Sequence, residues 1–187
     1  MRIRKPAAGV TTPDWYEIDA KIVEFAETEN FIAKAKLITS PPAKGLAERV
    51  SQGLGWLTRG RQADDRAERL LYFFTAIEAL LSTDDKSAPV MQTISRHAAV
   101  LLHSDNARRV KTAVEIRRLY NFRLALVHAG NRSVFWTAAN TAQQIAELLF
   151  VRVLRDADLT TSRSEFSAAL SKASYGLLWP PAAHTAE

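Results

Sequence analysis

The 187-residue chain contains no cysteine. Disulfide scaffolds, thiol nucleophiles and cysteine-ligated zinc are thereby excluded. Histidine is scarce, with four residues: His97, His103, His128 and His184. No two of them stand four apart on one helix with a carboxylate between, so no metal or other cofactor is expected. Glycine and proline number seven each. Gly53, Gly55 and Gly60 lie near one another, but their spacing is not that of a phosphate loop and no strand precedes them. A nucleophile elbow is also missing. The longest apolar run, Leu70 to Leu81, is interrupted by Glu78 and is too short to span a bilayer. The opening MRIRKPAAGVTTPD has basic residues but no apolar run behind them, so a cytoplasmic protein with no membrane partner is expected. No segment of five or more residues alternates, so no sheet is expected.

What remains is helical periodicity. The length bounds the chain to a single domain, residues 1–187. Apolar spacings of three and four predict an all-α bundle of about six to seven helices with a four-to-five-helix core. An N-terminal helix is predicted over 12–40, with Trp15, Ile18, Ile22, Phe25 and Ile32 as its stripe, ended by Pro41-Pro42. The core bundle is predicted over 43–157. Within it a helix from Ala43 to Thr58 is weakened by glycine. A helix from Asp65 to Leu81 is apolar nearly all round and therefore central. Others run from Ala88 to Leu102, over 105–129, and from Val134 to Ala157. Residues 162–187 hold a last helix, with Ser162 and Glu165 in capping-box spacing, and a tail, Trp179-Pro180-Pro181 and beyond, that is expected to be extended or loose.

The charge is uneven. Net charge is +5, and residues 105–132 carry the excess: Arg108, Arg109, Lys111, Arg117, Arg118, Arg123 and Arg132 face only Asp105 and Glu115. Basic groups outnumbering acidic ones on one element suit phosphate contact, and arginine suits it better than lysine. A solvated helix face is the competing explanation. In the helix over 105–129, Ala113, Ile116, Tyr120, Leu124 and Val127 fall within about 80° and make a core stripe. Leu119, Phe122 and Leu126 form a second stripe nearly opposite, which suggests a partner, most simply a second copy of the chain. Arg123 and His128 flank the first stripe, about 140° apart around the axis and about 7.5 Å apart along it. Arg123 has a candidate partner in Glu78, which needs one if buried.

Tyr120-Asn121-Phe122-Arg123-Leu124-Ala125-Leu126-Val127-His128 resembles the Arg-x4-His signature of the HEPN superfamily of helical ribonucleases. Ala76-Ile77-Glu78-Ala79-Leu80-Leu81 is similar to the "ALEALL" helix of the ApeA-like HEPN group. Ser95-Arg96-His97-Ala98-Ala99-Val100-Leu101-Leu102 is similar to its "RvA-x-LL" helix, and Leu119 to His128 to its "LYnxRSxiVHG" segment. The resemblance covers about residues 46 to 155. Leu124 stands where the family often has a polar residue, and Ala129 separates His128 from Gly130.

The resemblance implies a HEPN-type bundle, a homodimer whose motif helices meet, and metal-independent RNA cleavage by the RNA's own 2′-hydroxyl. His128 would move the proton and Arg123 would hold the scissile phosphate. Glu78, Tyr120 and Asn121 would support them, and Arg117, Arg118 and Arg132 would contact RNA. Toxin–antitoxin and phage-defence settings both fit the family, with an antitoxin or effector protein as a further partner. Some members are non-catalytic modules that partner a nucleotidyltransferase or another effector.

Overall fold

The computed structural model describes residues 19–28, 30–83, 89–177 and 179–180. Eight α-helices occur among them: α1 Ala20–Thr28, α2 Phe31–Thr39, α3 Leu46–Gln62, α4 Arg66–Leu81, α5 Val90–Leu102, α6 Asn106–Ala129, α7 Trp136–Asp156 and α8 Arg163–Ser174. No strand is present among the described residues. An isolated bridge between Gly45 and Ser162 lays the starts of α3 and α8 side by side, with Leu46 N–H donating to the Thr161 carbonyl and Arg163 N–H to that of Lys44.

The all-α class agrees with the sequence pattern, and so does the central place of α4. This helix packs against α3, α5, α6 and α7. It starts where Asp65 accepts from the backbone N–H groups of Ala67 and Glu68, the expected use of a capping aspartate. Leu70, Phe73, Phe74, Ile77 and Leu80 are fully buried on it. Each contributes roughly 1.5–3 kcal/mol of burial relative to exposure. Around it Val50, Ile94, Ile116, Leu119, Leu149 and Leu170 complete one contiguous core. The capping box at Ser162 and Glu165 is formed at the start of α8.

Three expectations need correction. The single helix over 12–40 is two: Asn30 adopts φ 51°, the left-handed region, and separates α1 from α2. Ile22 and Ile32 are exposed rather than core-facing. Trp15 and Ile18 lie outside the described residues, and so do the side chain of Phe25 and the expected start of the helix. α2 buries no residue fully; Leu37 and Ile38 lean on the core, and Lys34 Nζ donates to the Leu154 carbonyl of α7 at 2.7 Å.

The second correction concerns α3, which starts later and runs four residues further than expected, straight through its glycines. A Cβ on Gly53 would lie 2.3 Å from Phe150 Cζ, and one on Gly60 2.7 Å from Phe73 Cε1. These glycines are seats for the rings of α7 and α4, so packing outweighs their helix penalty of about 1 kcal/mol each. The third is the tail. Trp179 is half-buried, with its ring edge-on to Phe166 at 5.6 Å, so it is not loose; residues from 181 onward lie outside the described residues.

Candidate active site

The candidate residues converge on α6. Asp105 opens this helix by accepting from Arg108 N–H. Gly130 closes it at φ 62°, and Asn131 N–H donates to the Ala125 carbonyl. This left-handed stop is the one its glycine favours.

The helix is rotated relative to the expected stripe. Ile116 and Leu119 are fully buried, whereas Ala113 and Leu124 at the far edge of that stripe are only partly buried. Tyr120, Phe122 and Leu126 pack partly buried against the core. Thus Leu119, Phe122 and Leu126, expected to face a partner, serve this chain's own core. The reason is Arg123. Ile116, Leu119, Tyr120, Arg123 and Leu126 share an arc of about 120°, with the arginine in its middle. A charge there reads as an outer face unless another element neutralises it.

Glu78 of α4 is that element. Arg123 Nη2 donates to Glu78 Oε2 at 3.3 Å, with 25% and 20% of the two side chains exposed. The Arg123 guanidinium also lies over the Tyr120 ring at 5.9 Å, and Tyr120 packs on Phe74 at 5.7 Å. Burial pushes the Glu78 carboxyl up, while the neighbouring Arg123 charge opposes that shift. Arg123 Nε is buried without a hydrogen-bond partner. Its Nη1 makes no hydrogen bond among the described residues. The guanidinium is therefore held in place yet under-used as a donor.

His128 is exposed in the last turn of α6. It does not meet Arg123 within the chain: one points at α4 and the other at solvent. The side chains that share its side of the helix are Arg117, Asn121 and Leu124, at spacings of eleven, seven and four. Asn121 and Arg117 are exposed, and Arg117 Nε donates to the Ala113 carbonyl.

The basic residues of 105–132 divide sharply. Arg118 is paired with Glu115 at 2.7 Å and lies over the Phe122 ring. Arg132 is paired with Asp65 at 2.8 Å and Glu68 at 3.6 Å. Two of the three expected RNA contacts are thus engaged within the chain. Arg108, Arg109, Lys111 and Arg117 form no ion pair among the described residues. The uncompensated charge therefore sits on the first half of α6, not beside His128. No local motif marks this half; matching each cation to its available carboxylates would have exposed it.

Among the described residues no three His, Asp or Glu side chains form a metal-binding group, and no helix is long and apolar enough to cross a membrane. Comparison of the chain with protein-family models, curated proteins and solved structures returns no match.

Proposed function

We propose that the chain is a HEPN-type, metal-independent endoribonuclease acting as a homodimer. The observation that carries this reading is the Arg123–Glu78 pair. A guanidinium on the motif helix is anchored from the central helix by a carboxylate, at the positions where the resemblance places both. An arginine held this way keeps donors for a phosphate without losing its orientation.

In the reaction the 2′-oxygen bonds to phosphorus as the P–O5′ bond breaks. The 2′-hydroxyl loses a proton and the departing 5′-oxygen gains one. The products are a 2′,3′-cyclic phosphate and a 5′-hydroxyl. Arg123 stabilises the charge that develops on the non-bridging oxygens, and His128 carries a proton, a step worth roughly 10²–10⁴-fold. The requirement for a 2′-hydroxyl restricts such a site to RNA. Because Arg123 and His128 diverge on one helix, the site is composite and takes groups from two copies. Val127 at 50%, Phe135 at 69% and Trp136 at 55% exposure supply apolar surface for contact with a second copy. Toxin–antitoxin or phage-defence use, with an antitoxin or effector as partner, is compatible with this chemistry.

The same divergence favours one alternative. A chain that never brings the two groups together is a non-catalytic HEPN module that partners a nucleotidyltransferase or another effector. End-labelled RNA incubated with the protein in EDTA separates the readings. Cleavage leaving cyclic-phosphate ends, lost in Arg123→Ala and His128→Ala, supports the nuclease. Wild-type protein that sediments as a dimer and leaves diverse RNAs intact supports the module.

A further inference from the structure

The unpaired cations of α6 do not stand alone. Where α5, α6 and the end of α8 meet, an open depression of about 250 Å³ is lined by Arg96, Asn106, Arg109 and Ser174 around an apolar floor. Arg96 comes from α5 and forms no ion pair among the described residues, and its Nε is buried without a hydrogen-bond partner. Its guanidinium lies 5.9 Å from the Tyr175 ring centroid. Tyr175 follows Ser174 in the chain and is 82% exposed. Arg109 is braced on both sides: Nε donates to the His103 carbonyl at 2.8 Å and Nη1 to that of Ala173 at 3.3 Å.

Two arginines, one braced and one with an unanswered buried donor, converge on one concave site without a carboxylate to neutralise them. Two guanidinium groups at one site match the planar, multi-oxygen geometry of phosphate. An exposed aromatic ring beside a cation is the usual platform for a nucleobase. We propose that this depression binds a nucleotide unit, its phosphate on Arg96 and Arg109 and its base on Tyr175.

The source of that nucleotide follows from the helix. Val110 and Ala113 line the depression, and the side of α6 that they begin continues through Arg117 and Asn121 to His128. Arg109 lies about 21 Å along the axis from Arg123. A single strand seated in the depression is therefore carried along α6, past Arg117, toward the cleavage site. This occupant rests on the ribonuclease reading. A free mononucleotide has the same chemistry and needs no second site.

The test uses a fluorescent single strand of 2′-O-methyl RNA, which the proposed chemistry cannot cut, so binding is read without turnover. Anisotropy titrations over a range of salt compare wild type with Arg96→Gln and Tyr175→Ala. Tyr175 is exposed, so its variant does not threaten the fold. Loss of the stacked base weakens binding about 5- to 150-fold in Tyr175→Ala. Loss of one phosphate contact in Arg96→Gln lowers the slope of log affinity against log salt by about 0.7. Unchanged affinity and slope in both variants overturn the site. Adenosine monophosphate added as competitor assigns the source: displacement that Arg96→Gln weakens identifies a free nucleotide, and no displacement identifies the strand. The ribonuclease reading fails separately, if wild type leaves unmodified RNA intact while both variants still lose binding.

Discussion

His97 makes the stability of this protein acid-sensitive. The ring is 1% exposed, with Nε2 3.0 Å from Ser171 Oγ of α8. Burial, and secondarily the Arg96 charge, push its pKa down from 6.5 to about 4, against a smaller opposing contact with the Leu81 carbonyl. The folded state therefore holds His97 neutral at pH values where the unfolded chain protonates it. Its contribution is fully present above pH 6.5 and is lost as the pH falls from there through about 4. Two and a half pH units at 1.36 kcal/mol each make the loss about 3 kcal/mol, a large share of a typical domain's 5–15 kcal/mol. Urea unfolding of wild type and His97→Gln at pH 7, 6, 5 and 4.5 reads it. Between pH 6 and 4.5 wild type should lose about 1.2 kcal/mol per unit more than the variant. Glu78, whose raised pKa acts in the opposite sense, is common to both proteins and cancels in the comparison. Parallel curves for the two proteins would refute the argument.

The glycines of α3 should separate by what they face. Gly53→Ala and Gly60→Ala force Phe150 and Phe73 to shift and should each lose about 1–3 kcal/mol, whereas Gly55→Ala, with nothing within 4 Å of its Cβ, should gain up to about 1 kcal/mol; thermal melts read all three, and equal effects would contradict the packing account. Glu78→Gln leaves the largely buried Arg123 charge without its carboxylate and should lose about 1–3 kcal/mol of stability, and it should lower RNA cleavage at least about tenfold by freeing Arg123; full activity of the folded variant would remove Glu78 from the site. Arg132→Ala should leave the salt slope of RNA binding unchanged, since Arg132 already answers Asp65 and Glu68, whereas Arg117→Ala should lower it by about 0.7; the reverse pattern would reinstate the sequence assignment.

Helices were legible in the sequence wherever their signals were local. Asp65 and Ser162 cap the helices they were expected to cap, and Gly130 stops α6. The two caps are side chains within three residues of the backbone groups they satisfy, and Gly130 acts through its own left-handed φ. The errors arose where a distant element decides. Gly53 reads as weakening its helix until Phe150, ninety-seven residues later, occupies the space its missing Cβ leaves. The apolar spacing over 12–40 carried no warning of Asn30, because a stripe at helical period does not show whether one helix or two supply it.

The site was legible in composition and not in orientation. Glu78 was a candidate partner for Arg123, and they pair; a periodicity argument places an arginine outside, and the pairing turns the buried arc by about 60° from the expected stripe. Leu119 and Leu126 lie on the same buried side as Arg123, and His128 faces out; Val127, only about 20° around the axis from Ile116, is exposed about 16 Å further along, near the end of the helix. The same step explains the charge. Of the seven basic groups in 105–132, those with a carboxylate in reach of the rotated helix are Arg118, Arg123 and Arg132. Arg108, Arg109, Lys111 and Arg117 are left, and Arg96 of α5 joins them at the depression. A cation count over a segment measures attraction only after internal pairs are subtracted. For this chain the remainder moves the expected phosphate contact from the end of α6 to its beginning.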